Sequence, residues 1–240
     1  MAMDPISALK KQIPQIEDCL GYYFKDKSLL IMAFVHRSFF NEFRYLVDQH
    51  NERLEFLGDC VLGLLVSDYL YNLLPSQSEG DLSHIRANIV DASACVQFLL
   101  KLGIGQHVLL GKGERMNDGR GRDTILADLF EALIGAIYLD GGLEGARRFF
   151  FGHFETDLVT ASLQPEKNRK AELQDYSQKK HQKPPVYRVL KETGPDHSKV
   201  FHVIVLVNDV QAGEGMGSSK KEAEQAAAED AIRKLDLLQT

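Results

Sequence analysis

The sequence predicts a multidomain chain: an all-α domain followed by a small α+β domain of α-β-β-β-α order. Three observations predict it. Apolar residues recur at helical spacing through most of the first 160 residues, period-two alternation appears only after residue 185, and the charge balance changes between the two parts. Residues 1–165 hold 15 Lys and Arg against 22 Asp and Glu, net −7, whereas residues 166–240 hold 13 against 12, net +1. The seam falls in 161–168, ASLQPEKN, a polar stretch with one proline that reads as a linker. The expected boundaries are 1–160 for the helical domain and 169–238 for the second.

Within the first domain, helices are expected near 5–22, 27–38, 51–74, 82–101 and 124–139, separated by Gly, Pro, Asn and Asp. The run GKGERMNDGRG at 111–121 is glycine-rich but lacks the GxxxxGK[ST] arrangement that cradles phosphates, so it reads as a loop and no nucleotide cofactor is expected. In the second domain an amphipathic segment at 170–180 precedes a Pro184-Pro185 break. Strand-like runs follow at 186–192, 199–207 and 210–216, with Asn208-Asp209 as a turn, and a helix closes the chain.

Composition narrows the class. With 240 residues, 44% hydrophobic, 26% charged and seven prolines, the chain can bury a core and is not expected to be disordered. Its longest purely apolar stretches fall far short of the roughly 18 residues that a membrane span needs, so no membrane association is expected. The opening MAMDPISALKKQ lacks the apolar core of a secretory signal, and Cys19, Cys60 and Cys95 are odd in number and widely spaced. A reducing cytoplasm without a disulfide framework is the expectation.

The chemistry-bearing segment is NERLEFLGDCVLGLLVSDYLY at 51–71. On a helix Glu52, Glu55 and Asp59 share one face, while the apolar residues around them leave almost no solvated side. A second helix, TILADLFEALIGAIYLD, places Asp128 and Glu131 three apart in an otherwise apolar run. Buried carboxylates cost several kcal/mol per ion even after relaxation, roughly, unless cations or a metal neutralise them. Arg53, Arg86 or Arg122 could pair with single acids. Five carboxylates on two helices, with Glu79 in the SEGDLS segment between them, exceed those cations. An all-oxygen set suits Mg²⁺, or Mn²⁺ as a substitute, and a carboxylate-held Mg²⁺ without a phosphate loop points to phosphodiester hydrolysis. A phosphohydrolase of the HD type is disfavoured because no His-Asp dyad stands in a helical context, and the lone His36 reads as structural.

NERLEFLGD at 51–59 resembles the signature of the ribonuclease III family. VHRS (35–38), SEGDLSHIRA (78–87) and ILADLFEALIGAIYLD (125–140) occur in that family's order. The resemblance covers nearly the whole chain and implies an all-helical endonuclease domain joined to a double-stranded-RNA-binding domain. It implies a homodimer that cuts both strands of duplex RNA with Mg²⁺, leaving 5′-phosphate and 3′-hydroxyl ends with short 3′ overhangs, with precursor ribosomal RNA and other structured transcripts as substrates. By motif, Glu55, Asp59, Asp128 and Glu131 correspond to the catalytic and metal-binding quartet, and Glu52 and Glu79 to supporting acids. The family's dimer contact runs through the signature helix, where Phe56 and Leu57 are candidates. A catalytically inactive, dsRNA-binding dimer is the alternative, and the intact quartet argues against it.

For the tail, A-form RNA offers a wide, shallow minor groove that is recognised by shape. The closing helix starts GSSKKEAEQ, which puts Lys220 and Lys221 in a first turn where the helix dipole already favours an anion. This start and KAELQDYSQKK at 170–180 resemble the double-stranded-RNA-binding domain. The resemblance implies that Gln174, Asp175 and Gln178 face one minor groove and that His197 in GPDHSK enters the next. Ala171 departs from the hydroxyl residue common among relatives. A net charge of +1 requires affinity to come from placement and to weaken with salt.

Overall fold

The computed structural model describes residues 4–116, 121–163, 169–194 and 199–235. It divides into two compact units, Met1–Pro165 and Glu166–Thr240. The first is helical among its described residues: α1 (Pro5–Leu20), α2 (Lys27–Ala33), α3 (Arg37–Glu42), α4 (Glu52–Leu73), α5 (Glu79–Ile89), α6 (Ala92–Leu102), a 3-10 turn (Gly105–His107), α7 (Lys112–Arg115) and α8 (Arg122–Leu163).

Local chemistry subdivides two of the expected helices. The run at 27–38 breaks after Ala33 because His36 takes extended backbone and accepts a hydrogen bond from the Ser38 amide, capping α3. The run at 82–101 breaks after Ile89 because the Asp91 carboxylate accepts from the Ala94 amide and starts α6. The 111–121 run, expected as a loop, contains the single helical turn α7. Conversely, the helix expected to end near 139 continues to Leu163 across a kink at Gly142, whose φ of 68° and ψ of −174° are non-helical. Asp140 anchors the chain beside that kink. Its carboxylate accepts from the Tyr22 hydroxyl (2.8 Å) and from the amides of Lys25 (3.0 Å) and Asp26 (2.8 Å), tying the start of α2 to α8.

The core of this unit lies where α4 and α8 pack. Leu54, Leu62, Leu65 and Val66 of α4 are buried with Leu129, Phe130, Leu133, Ile134 and Ile137 of α8. Phe98 of α6 joins Phe130, Phe150 and Phe154 of α8 in an aromatic cluster with centroids 4.6–5.7 Å from Phe98. One expectation is corrected here. Helix α4 is not enclosed on all sides: Phe56, Leu64 and Tyr71 are 75%, 53% and 73% exposed, spaced along one outward stripe.

The second unit comprises α9 (Arg169–His181), β1 (Val186–Thr193), β2 (Val200–Val207), β3 (Val210–Gly217) and α10 (Lys220–Lys234), the expected α-β-β-β-α order. The strands form an antiparallel sheet in the order β1-β2-β3. Asn208 and Asp209 turn β2 into β3 with φ of 50° and 65°, the left-handed backbone of a tight hairpin. Val203, Val205 and Val207 are buried with Leu173 of α9 and with Ala223, Ala227, Ala228, Ala231 and Ile232 of α10. The alternate glycines of β3 allow this. A β-carbon on Gly213 would stand 2.4 Å from the Ala227 carbonyl oxygen, and one on Gly215 2.3 Å from the Ala227 nitrogen, so backbone packs on backbone.

Candidate active site and nucleic-acid interface

Two glycines set the spacing of the acids. A β-carbon on Gly58 of α4 would lie 1.8 Å from the carbonyl oxygen of Glu131, and one on Gly135 of α8 would lie 2.2 Å from that of Leu54. The helices therefore touch through their backbones, with Glu55 and Asp59 flanking the contact on α4 and Asp128 and Glu131 just before it on α8. Side chains on helices set this close cannot avoid one another's fields.

The electrostatics show that they do not. Glu131 is half-buried, and desolvation, followed by the charges of Asp59, Glu55 and Asp128, pushes its carboxyl up to about 7. Glu55 is raised by burial and then by Asp128, Glu52 and Asp59. Asp128 is raised by burial and by Glu52, while His36 pulls it the other way. Among the described residues none of the quartet makes an ion pair with Lys, Arg or His. The arginines considered from sequence go elsewhere or stay apart from them; Arg86 donates to the Ser67 hydroxyl at 3.1 Å.

The four do not form a closed shell by themselves. Among the described residues no three Asp, Glu, His or Cys side chains converge to hold a metal ion as they stand. The donor set is all-carboxylate, half-buried on α8, and without a neutralising cation, which is the chemistry of a hard divalent ion and not of an internal salt bridge.

Sequence reasoning missed Cys95. This buried thiol on α6 lies 3.9 Å from Glu131 Oε1, and burial together with the Glu131 charge pushes its pKa up, so it stays a neutral donor beside the most perturbed acid. A lone cysteine in an apolar helix gives no sequence signal of that placement. His36, read as structural, caps α3 and is half-buried, its pKa lowered by desolvation.

The supporting acids part company. Glu52 raises Glu55 and Asp128, so it belongs to the same field, yet it is exposed and pairs with Arg37 at 3.2 Å. Glu79 opens α5, is exposed and accepts from the Ser83 hydroxyl at 3.0 Å; it is not among the charges that act on Glu55, Asp128 or Glu131.

In the second unit Gln174, Asp175 and Gln178 are exposed on α9, opposite the buried Leu173 and Ser177. Ser219 caps α10 by accepting from the Glu222 amide at 3.2 Å, and both Lys220 and Lys221 of its first turn are exposed. Lys220 pairs with Glu192 at 3.4 Å and its ammonium lies 5.7 Å from the centre of the Phe201 ring. His197 lies outside the described residues.

Residues 26–158 match the family model described as Ribonuclease-III-like, and residues 170–235 match the double-stranded RNA binding motif. The chain is 58% identical over 235 residues to Ribonuclease 3 of Protochlamydia amoebophila (strain UWE25), covering 98% of this chain and 97% of the relative. The chain belongs to the ribonuclease III family. Membership in this family of metal-dependent nucleases makes it an endoribonuclease, with the helical unit as its ribonuclease III domain and the α-β-β-β-α unit as its double-stranded RNA binding motif. Ribonuclease 3 of Anoxybacillus flavithermus (strain DSM 21510 / WK1) is 44% identical over 225 residues, 94% of each chain. The ribonuclease III domain is also similar to the crystal structure of the nuclease domain of ribonuclease III from Campylobacter jejuni, with a TM-score of 0.55 and 40% identity over 61% of this chain and 96% of that one. A second structure of that domain, described as showing structural flexibility in the region involved in dimer formation, gives a TM-score of 0.53 at 40% identity, over 60% of this chain and 99% of that one. Among the described residues no helix is long and apolar enough to cross a membrane.

Proposed function

We propose that this protein is a Mg²⁺-dependent endoribonuclease that hydrolyses both strands of duplex RNA, with Glu55, Asp59, Asp128 and Glu131 as its catalytic, ion-holding set. The observation that carries the reading is the backbone contact of α4 and α8 at Gly58 and Gly135, which sets Glu55 and Asp59 of one helix against Asp128 and Glu131 of the other with no Lys, Arg or His in an ion pair with any of them among the described residues; burial and the neighbouring charges push the Glu131 carboxyl up in keeping with it. Mg²⁺ bound there, or Mn²⁺ in its place, would supply the charge that admits a phosphodiester among these anions and that acidifies water for attack. The chain's own contribution is to fix the four carboxylates on two helices whose backbones touch. Glu131 is then ionised when its neighbours' charge is balanced, and the Cys95 thiol steadies one of its oxygens.

Duplex RNA is held by the second domain, taken as 169–238; of the stretch 161–168 expected as a linker after a nuclease domain at 1–160, residues 161–163 belong to α8. Gln174, Asp175 and Gln178 on α9 meet the minor groove, His197 the next groove, and Lys220 and Lys221 the phosphates between. Glu192 must release Lys220 for this, an exchange that costs little for an exposed pair. Two antiparallel strands call for two sites related by a two-fold axis, and a homodimer provides them. The outward stripe of Phe56, Leu64 and Tyr71 on α4 supports pairing through that helix. Free thiols at Cys19, Cys60 and Cys95 suit a cytoplasmic setting. Family membership supports precursor ribosomal RNA and other structured transcripts as substrates.

Incubation with a long perfect RNA duplex, in Mg²⁺ or in EDTA, followed by end analysis, tests the proposal. Expected are 5′-phosphates and 3′-hydroxyls with short 3′ overhangs in Mg²⁺ and intact duplex in EDTA. Cleavage that survives EDTA overturns the metal assignment, and binding without cleavage in Mg²⁺ overturns the catalytic one.

A further inference from the structure

Glu52, an acid near the α4–α8 contact, makes an ion pair with a cationic side chain. Its Oε1 accepts from Arg37 Nη1 at 3.2 Å, and its Oε2 lies 3.8 Å from His50 Nδ1. The imidazole is fixed in place, its ring 5.1 Å from that of Phe40 and its Nδ1 buried without a hydrogen bond among the described residues. The Arg37 guanidinium stands at the first turn of α3, next to His36, which feels the charges of Asp128 and Glu52. Arg37 is thus a cation at the rim of the acidic field, joined to it only through Glu52.

The pair is open to water, with side chains 63% and 45% exposed, and an exposed ion pair is worth little. A guanidinium also prefers a phosphate's paired oxygens as readily as a carboxylate's. A strand whose scissile phosphate approaches the quartet brings further phosphates past this rim. We propose that Arg37 is a substrate-contacting residue that exchanges Glu52 for a backbone phosphate when duplex RNA arrives. Glu52 is then a positioning residue and not an ion ligand: it parks the guanidinium at the rim and keeps it from collapsing onto Glu55 or Asp128, where it would compete with the divalent ion.

This inference rests on the proposed nuclease function, and its test separates the two. In the full chain carrying Glu131→Gln, duplex binding is measured across a salt series. Adding Arg37→Ala should lower the slope of log affinity against log salt by about 0.9 and weaken binding about fivefold at 0.15 M salt, the effect of one lost phosphate contact. Arg37→Lys should restore the slope. In the cleaving chain, Arg37→Ala should raise KM with little change in kcat, the pattern of lost uniform binding. Glu52→Gln should bind duplex at least as tightly and reach half-maximal cleavage at an unchanged Mg²⁺ concentration. The inference is overturned by an unchanged salt slope in Arg37→Ala, or by a several-fold rise in the Mg²⁺ requirement of Glu52→Gln. A parent chain that neither binds nor cuts duplex RNA overturns the nuclease reading and this inference together, whereas normal cleavage by the parent with flat Arg37 variants overturns the inference alone.

Discussion

Gly58 and Gly135 face each other across the α4–α8 contact so closely that each would drive a β-carbon into the other helix's carbonyl, that of Glu131 at 1.8 Å and that of Leu54 at 2.2 Å. The neighbour in each case is backbone, which cannot swing aside as a side chain can. Gly58→Ala should therefore destabilise the nuclease domain by about 1–3 kcal/mol, as overpacking does. Thermal unfolding checks it, at roughly 2–4 °C per kcal/mol for a domain of this size. Gly152→Ala, on α8 with open space around it, is the control and should stabilise by about 0.5–1 kcal/mol.

The raised carboxyl of Glu131 makes stability depend on pH with a definite sign. Its folded value, about 7, exceeds its ordinary 4.5, so between these limits the folded state binds more protons than the unfolded one. Without divalent ions, the contribution of Glu131 to stability should fall as pH rises from about 4.5 to about 7. Glu55 and Asp128, raised in the same direction, add to the slope. Glu131→Gln should flatten that dependence, melting above the parent near pH 8 in EDTA and converging with it near pH 5. His36 and His107, lowered by burial, slope the other way below about 6.5, so the test is the difference between the two chains: a Glu131→Gln curve parallel to the parent's contradicts the assignment.

The same substitution should reduce cleavage of duplex RNA by at least about a hundredfold, the scale of losing one preorganised electrostatic contact at the reacting centre. Retention of the parent's gel shift on duplex RNA distinguishes loss of chemistry from loss of fold. Cys95→Ala should leave binding intact and alter the pH profile of cleavage more than its maximum, since the thiol lies 3.9 Å from a Glu131 oxygen and equally near the Val90 carbonyl.

The candidate site is proposed from the cost of carboxylates in apolar helices; Glu55, Asp128 and Glu131 are indeed partly buried, whereas Asp59, expected among them, is exposed. The strands of the second domain were plain, because Val203, Val205 and Val207 alternate with residues of the other face. What could not be read was distance. Gly58, Gly135 and Gly215 look like ordinary interruptions until their facing backbones are known. The break before α3 was hidden because the apolar spacing of 27–38 runs on through it, while His36 and Ser38 cap locally. Apolar residues all around α4 suggested full enclosure, since sequence does not separate burial in one's own core from burial against another copy.

Phe56 tests that last distinction. At 75% exposure its ring contributes little to the monomer's core, so Phe56→Asp should leave the unfolding free energy of a dilute sample within about 0.5 kcal/mol of the parent, as surface changes do. In sedimentation the parent should run as a dimer and the variant as a monomer. A dimeric Phe56→Asp would place the contact elsewhere.

Helix α4 carries both Glu55 and Asp59 of the proposed site and the exposed Phe56, Leu64 and Tyr71, so the proposed site and the proposed pairing surface share one helix. If the copies pair there, each subunit severs one strand, and thinning the enzyme below its self-association threshold should convert staggered double breaks into isolated nicks. The shape of the product would then report how many molecules of the enzyme a cell keeps.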